Sequence, residues 1–341
     1  MNGYERISAV LQGRWPDRVP VMLHNFMLAA RQAGYTMSQY RSDPRRIAQS
    51  LIRSVEIYEV DGVLIDVDTA TLAEAVGVPV DLPEDEPARC RAGCLPTLEA
   101  VDDLPPPDIG SHRRVQIWLE ATRIVAEHFR DEIYVRGNCD QAPFSLASMI
   151  RTPAQWMMDL LDTQHHDHVL RLLEYCTQAS AQFVQLMSET GAHMVSNGDS
   201  PAGPEIISPD FYRQFAQPYE RQLVERAHRL GMPYVLHICG RTDAILDDML
   251  QTGADGLELD YKTDVRHAHD RMKHRAVFLG NLDPSGLLTH ATADQVRRQT
   301  IHLLEIFADT PRFILNAGCA IPPTAPRENL HAMVQATRQV A

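Results

Sequence analysis

The stretch Tyr234-Val-Leu-His-Ile-Cys239 is a short run of apolar and β-branched residues with a polar end, and runs of this kind decide the fold class. They recur between longer stretches, such as Phe211–Leu230 and Ala293–Ala308, that are long enough for crossover helices. The eight candidate strands are Val19–His24, Gly62–Asp66, Ile133–Gly137, His193–Gly198, Tyr234–Cys239, Gly256–Tyr261, Val277–Asn281 and Arg312–Ala317. Eight βα units predict a (β/α)8 barrel, also called a TIM barrel.

The regular spacing of strands is interrupted once, at Gly77–Ser111, which contains seven prolines and two cysteines and has no clear periodicity. We expect an inserted loop near the barrel mouth. We find no internal repeat or linker, so the sequence predicts a single domain over residues 1–341. A doubly wound sheet is the alternative fold, but the glycine-rich phosphate turn of that fold is missing from the sequence.

Composition limits the class of partner. Of the 341 residues, 44% are hydrophobic and 23% are charged, so the chain is able to bury a large core. A formal charge of -13 disfavours nucleic acid and anionic membranes, which leaves a small molecule or another protein. Six irregularly spaced cysteines are too few for a disulfide scaffold. The chain shows no apolar signal core and no apolar run of membrane-spanning length, so we expect a soluble cytoplasmic protein.

Polar residues follow every predicted strand. In barrel enzymes the reacting groups come from the C-terminal ends of the strands, although Asn and Asp also suit ordinary turns. The polar strand-end residues are His24, Asn25, Asp66, Asp68, Asn138, Asp140, Asn197, Asp199, His237, Cys239, Glu258, Asp260, Asn281, Asp283, Asn316 and Cys319.

The sharpest local signal is Leu236-His237-Ile238-Cys239-Gly240. Residues i and i+2 of a strand project from the same face, so His237 and Cys239 are expected to point into the barrel mouth together. This pair suits a metal ion. A buried cysteine beside a hydrogen-bonded histidine is the alternative interpretation.

Cys319 follows the last predicted strand and is expected at the same mouth. One nitrogen and two sulfur ligands with an open fourth position are typical of a catalytic zinc site. Soft thiolates with imidazole favour zinc over magnesium or calcium. Glu258 or Asp260 could occupy the fourth position or exchange with it.

The chain resembles the uroporphyrinogen decarboxylase superfamily, which includes zinc-dependent corrinoid methyltransferases, over nearly its whole length. No single segment carries this resemblance, but the matching segments occur in the proper order. They are Asp17-Arg-Val-Pro-Val21, Arg31-Gln-Ala-Gly34, His237-Ile-Cys-Gly240, Gly280-Asn-Leu-Asp-Pro284, Asn316-Ala-Gly-Cys-Ala-Ile-Pro-Pro323 and Pro326-Arg-Glu-Asn329.

Few positions separate the two branches of the superfamily. The decarboxylases are similar to this chain at Arg31 and Asp68, but they carry a second arginine and a histidine where this chain has Tyr35 and Cys319. An octa-acid substrate needs several guanidinium groups, so this departure weakens decarboxylation. The alternative function is nevertheless a metal-free carboxy-lyase that uses Arg31 and Asp68.

The methyltransferase branch carries a His-x-Cys motif and a distant Cys, which His237, Cys239 and Cys319 match. This resemblance implies zinc, a corrinoid (cobalamin) methyl carrier on a separate protein, and a small thiol or methyl ether as substrate. A non-catalytic corrinoid-binding module is a third hypothesis, disfavoured because the corrinoid-binding His motif is missing. The candidate residues to orient substrate or ligand are Asp199 and Asp260, and those to bind substrate are Arg31, Asp68 and Asn138.

Overall fold

Eight parallel strands form a barrel in the computed structural model, which describes residues 1–339. Neighbours along the chain are neighbours in the sheet, and a parallel bridge from Val21 to Leu315 joins the first strand region to the last. The strands are β1 (Met22–Leu23), β2 (Gly62–Ile65), β3 (Tyr134–Gln141), β4 (Met194–Gly198), β5 (Tyr234–Ile238), β6 (Gly256–Leu259), β7 (Val277–Leu282) and β8 (Phe313–Ala317). The predicted (β/α)8 barrel is confirmed, and the doubly wound alternative is wrong because the sheet closes on itself.

The strands are apolar on both faces because helices cover the outside and side chains fill the inside. Val235 of β5 belongs to an inner cluster that also contains Ile7 and Val10 of the first helix, α1 (Gly3–Leu11). Leu236 and Ile238 belong to the outer core under the helices. The alternation along β5 therefore turns odd-numbered residues inward, and α1 contributes side chains to the packed barrel interior.

The described residues contain sixteen α-helices. After α1 they are α2 (Phe26–Gln32), α3 (Met37–Arg41), α4 (Pro44–Tyr58), α5 (Thr71–Ala75), α6 (Arg113–Phe129), α7 (Pro143–Arg151), α8 (Pro153–Leu161), α9 (His166–Ser188), α10 (Pro209–Phe215), α11 (Gln217–Arg229), α12 (Leu246–Gln251), α13 (Val265–Met272), α14 (Leu287–His290), α15 (Ala293–Ile306) and α16 (Arg327–Gln339). Within residues 1–339, no helix is both long and apolar enough to cross a membrane.

The helical stretch expected at Phe211–Leu230 is two helices, α10 and α11, with a break at Ala216. Pro218 explains the break, because proline lacks an N–H group and its ring clashes with the preceding helical turn. The start of α10 follows from its sequence. Ser208 caps it by accepting a hydrogen bond from the Phe211 N–H, and Pro209 occupies the first turn.

Residues 77–111 contain a short antiparallel hairpin, Val80–Asp81 with Arg89–Cys90, and a 3-10 helix at Glu99–Asp103. Arg41 binds the hairpin turn by donating to the Pro83 and Glu86 carbonyl oxygens. Pro87 lines the cavity at the C-terminal ends of the strands. The assignment of the whole chain to one domain stays a prediction.

Candidate metal centre

Three side chains at the C-terminal ends of β5 and β8 bring nitrogen and sulfur atoms together. Nε2 of His237 lies 3.0 Å from Sγ of Cys239. Sγ of Cys239 lies 3.6 Å from Sγ of Cys319. All three atoms are within 4.8 Å of one another, which is close enough to share one metal ion, and no second such group occurs in residues 1–339. We call these three side chains the thiol cluster.

The geometry of β5 explains why two members of the thiol cluster are adjacent. Val235 and His237 point into the barrel, and Cys239, two residues further on, lines the same cavity as His237. Nδ1 of His237 lies 2.9 Å from the backbone oxygen of Glu258. That oxygen is only an acceptor, so we assign a proton to Nδ1. Nε2 is then directed at the sulfur atoms and is suited to bind a metal.

A tight turn holds Cys239 in position. Gly240 has a φ of +85°, a conformation that favours glycine, and its N–H donates to Oδ2 of Asp260 at 2.9 Å. The Cys239 N–H donates to Oγ of Ser200 at 3.4 Å. The backbone on both sides of the sulfur is therefore tied to neighbouring loops.

Gly318 allows the loop after β8 to approach β6 closely. A Cβ atom added to Gly318 would lie 2.5 Å from the backbone nitrogen of Tyr261, closer than any side chain permits. The Gly318 N–H donates to the Leu282 oxygen at 2.9 Å, and the Ile321 N–H donates to the His24 oxygen at 2.7 Å. These contacts carry Cys319 across the mouth to Cys239.

The electrostatics of the thiol cluster favour an ionised sulfur. A hydrogen bond from Cys319 lowers the pKa of Cys239, and the neighbouring His237 lowers it further, against the effect of burial. The pKa of Cys319 is raised by that same hydrogen bond and by its own burial. Burial alone would lower the pKa of His237, but the adjacent Cys239 thiolate raises it to about 10. These contacts favour the thiolate form of Cys239, which is the form that binds a metal.

The thiol cluster lines a cavity of about 260 Å³ at the C-terminal end of the barrel. Phe26, Met27, Leu64 and Pro87 form an apolar part of the lining. Most of the remaining lining is charged or polar and comes from the C-terminal ends of the first six strands and the loops that follow them. The cavity has the size and mixed character of a small-molecule site.

Glu258 does not join the thiol cluster in this geometry. Its Oε2 lies 2.6 Å from Nη2 of Arg136, and its Oε1 accepts from Nδ2 of Asn316 at 3.0 Å. Both partners are buried, so the carboxylate would have to leave them to bind a metal. The contact of Glu258 with the thiol cluster is instead its backbone oxygen, which holds His237.

The two candidate orienting residues, Asp199 and Asp260, are not in the cavity lining formed by the described residues. Asp260 accepts from the Gly240 and Lys262 N–H groups, so it stabilises the turn behind Cys239. Asp199 is fully buried and accepts two hydrogen bonds from Ser145. Burial raises the pKa of Asp199, which shares this region with a second buried carboxyl, that of Glu220.

The structure separates the three candidate substrate-binding residues. Asp68 and Asn138 line the cavity, where Asp68 pairs with Arg114 and Asn138 donates to Asp66 at 3.0 Å. Arg31, expected to face the mouth, is exposed in the last turn of α2 and lies outside the cavity lining formed by residues 1–339. The reason is packing, because the apolar residues of α2 occupy its inward face.

Sequence reasoning missed Arg136, which lies inside β3 rather than at its end and is only 2% exposed. A charge within an otherwise apolar strand run was the available signal. His24 was recognised only as a polar strand end. In the structure its Nε2 lies 2.7 Å from Oδ2 of Asp66, and its Nδ1 lies 3.5 Å from Oε1 of Glu258.

Known proteins similar to this chain include two kinds of enzyme. A methylcobamide:CoM methyltransferase of Methanosarcina acetivorans is 27% identical over 340 residues, covering 98% of this chain and 97% of the relative. A uroporphyrinogen decarboxylase of Pelobacter propionicus is 27% identical over 354 residues, covering 96% of each.

The fold agrees with a solved structure described as a methyltransferase from Methanosarcina mazei. The two superpose with a TM-score of 0.90 at 24% identity, covering 100% of this chain and 99% of that one. The family model for uroporphyrinogen decarboxylase (URO-D) matches residues 2–340. The chain therefore belongs to the uroporphyrinogen decarboxylase (URO-D) family.

Proposed function

We propose that the protein is a zinc-dependent methyltransferase that moves a methyl group between a small substrate and a corrinoid carrier. The substrate is a methyl ether or a thiol, and the carrier is a separate corrinoid protein. The observation that carries the proposal is the convergence of His237 Nε2, Cys239 Sγ and Cys319 Sγ within 4.8 Å at the cavity.

The donor set fits zinc. One imidazole nitrogen and two sulfur atoms are the ligands of a catalytic zinc site with an open fourth position. The backbone oxygen of Glu258 holds Nδ1 of His237, a contact that is typical of metal-bound histidines. Bound zinc would lower the pKa of a substrate thiol or polarise an ether oxygen.

The protein's own residues position the reacting groups. Asp260 and Ser200 hold the backbone around Cys239, so the sulfur faces the cavity. The apolar lining excludes water from the methyl group. With an ether, the C–O bond breaks, the methyl group passes to cobalt(I) of the carrier, and the oxygen leaves with the bonding pair and takes up a proton.

The two candidate orienting residues keep indirect roles in this proposal. Asp260 acts through the Gly240 turn, and Asp199 acts through its backbone N–H, which donates to the His237 oxygen at 2.8 Å. Asp68 and Asn138 line the cavity and are the proposed substrate contacts. Arg31 is exposed outside the cavity lining, so we assign it no contact with the substrate.

The relatives support the methyl-transfer chemistry. A curated relative that spans almost the whole chain is named as a methylcobamide:CoM methyltransferase, which links methyl transfer to a methylcobamide and CoM in that protein. Carboxy-lyase activity has less support. Arg31 is exposed, and the carboxylate of Asp68 is already paired with Arg114.

Metal analysis and methyl-transfer assays test the proposal together. The wild-type protein should bind one equivalent of zinc and demethylate an ether, or methylate a thiol, in the presence of a corrinoid. Cys319→Ala should lose both properties and keep its far-UV dichroism. Cys90→Ala is the matched control, because Cys90 is a partly buried thiol in the hairpin outside the thiol cluster. A wild-type protein that binds no zinc would contradict the proposal.

A further inference from the structure

Arg136 carries two nitrogen atoms, Nε and Nη1, for which residues 1–339 supply no hydrogen-bond partner. Its side chain is 2% exposed and lines the cavity that contains the thiol cluster. Nη2 is satisfied by Glu258 at 2.6 Å. A buried donor without an acceptor costs about 1–3 kcal/mol, and more when it is charged. We therefore expect a molecule that enters the cavity to supply the missing acceptor.

The charges around this cavity are already paired. Arg136 pairs with Glu258, His24 pairs with Asp66, and Asp68 pairs with Arg114, which is outside the lining. In the described part of the chain, each cation of the lining therefore has an anionic partner, which for His237 is the sulfur of Cys239. Two thiolates of the thiol cluster would likewise offset the charge of a bound zinc ion. An anionic ligand would bury an uncompensated charge, whereas a neutral oxygen would not.

The rest of the lining indicates the shape of the ligand. Phe26, Met27, Leu64 and Pro87 provide apolar contacts, and a volume of about 260 Å³ is at the small end for ligand cavities. A molecule that satisfies these features is small, uncharged and mostly apolar, with at least one acceptor oxygen.

We propose that Arg136 is a specificity-determining residue that donates a hydrogen bond to the ether oxygen of a small uncharged methyl ether. The inference rests on the proposed function and narrows its substrate class. On this inference, the binding site of this protein differs from a site that binds an anionic thiol. Arg136 binds the substrate in this scheme, and the thiol cluster acts on the reacting group.

Calorimetric titration of the zinc-loaded full-length protein, without corrinoid, tests the wild-type site. The two uncharged probes are 2-methoxyphenol and 2-ethylphenol, which differ by one oxygen in place of a methylene group. The charged probes are 2-methoxybenzoate and 2-mercaptoethanesulfonate. We expect 2-methoxyphenol to bind about tenfold or more tightly than 2-ethylphenol, because one charge-assisted hydrogen bond is gained. Both anions should bind more weakly than 2-methoxyphenol.

Arg136→Lys tests the residue itself. Lysine retains a cation for Glu258 but lacks the additional guanidinium donors. The affinity for 2-methoxyphenol should fall to that for 2-ethylphenol, whose own affinity should change little. Arg229→Met is the control, because the Arg229 side chain is 62% exposed and distant from the lining. It should bind both phenols as the wild type does.

Several results would overturn the inference: tighter binding of either anion, no binding of 2-methoxyphenol, or an unchanged preference for 2-methoxyphenol in Arg136→Lys. If the lysine variant does not fold, the comparison of phenols and anions on the wild type decides. Methyl transfer is assayed separately. Selective binding of 2-methoxyphenol without any methyl transfer would reject the proposed function and keep this inference. Methyl transfer by a protein that binds the anions more tightly would support the proposed function and reject this inference.

Discussion

Arg136 and Glu258 form a buried ion pair that links β3 to β6 across the barrel. Both side chains are at most 2% exposed. Such pairs gain little free energy relative to an apolar pair, but the loss of one partner leaves an uncompensated charge. The pair also connects Arg136, the proposed substrate contact, to the thiol cluster, since the Glu258 backbone oxygen holds His237.

Arg136→Met should therefore lower the free energy of unfolding by about 3–5 kcal/mol at neutral pH, because Glu258 keeps a buried charge without its partner. The double variant Arg136→Met/Glu258→Gln should recover most of this loss. Denaturant unfolding of the two variants and the wild type measures both values. Equal stability of the single and double variants would contradict this account.

Asp140 is a second buried residue whose charge depends on its surroundings. Burial, with help from the nearby Asp68 charge, raises the pKa of Asp140 to about 8. Its backbone is left-handed, with a φ of 59°. Asparagine tolerates that conformation, so Asp140→Asn removes the charge with little backbone strain.

The unfolded chain releases this proton above about pH 4, whereas the folded protein holds it until about pH 8. The stabilising contribution of Asp140 is therefore fully present below the unfolded pKa and is lost as the pH rises towards the folded pKa. The stability of Asp140→Asn relative to the wild type should rise by about 3 kcal/mol from about pH 5 to about pH 7. Urea unfolding across this range measures the difference. The exposed Asp85→Asn variant is the control and should show no such trend.

At the scale of elements, the site depends on how closely the loop after β8 approaches β6. Gly318 makes this approach possible, because a Cβ atom there would collide with the backbone of Tyr261. The loop also hydrogen-bonds to Leu282, at the end of β7, and to His24. Cys319 is thus positioned by contacts of its neighbours with three other elements.

Gly318→Ala should displace this loop, lower stability by about 1–3 kcal/mol and weaken zinc binding by about tenfold or more. Competition with a chromogenic chelator measures zinc affinity, and thermal unfolding measures stability. Gly110→Ala is the control, because a Cβ atom there would meet its nearest neighbour at 3.6 Å. Unchanged zinc affinity in Gly318→Ala would mean that the loop is not the constraint.

At the scale of the whole molecule, the candidate site and the inner apolar cluster occupy different parts of the barrel. The thiol cluster and the cavity lie at the C-terminal ends of the strands. Ile7 and Val10 of α1 pack with strand residues in a separate inner cluster. In barrels of this type, function belongs to the C-terminal face and stability to the other parts.

Ile7→Ala should therefore destabilise the protein by about 2–5 kcal/mol, because it leaves a cavity in the inner cluster. Zinc stoichiometry and the affinity for substrate should stay at wild-type values below the unfolding transition. Calorimetric unfolding and metal analysis of the same preparation measure the two effects. Loss of zinc from the folded variant would show that the two ends are coupled.

The sequence by itself determined the eight strands and the pairing of His237 with Cys239. Apolar runs mark buried strands, and residues two apart on a strand share a face whatever the rest of the fold does. Both patterns depend only on near neighbours in the chain. The expectation that Cys319 joins the pair also required the closure of eight strands into a barrel, because closure brings the end of the last strand to the same mouth.

Only the tertiary structure decided the use of the remaining polar residues. Arg136 meets Glu258 because the barrel brings β3 and β6 face to face across its interior, and no local pattern encodes that contact. Asp199, at a strand end in the sequence, turns towards Ser145, and Arg31, in the stretch after the first strand, lies on the exposed face of α2. The direction of a polar side chain at a strand end is set by which neighbour satisfies its hydrogen bonds, and those neighbours are distant in the chain.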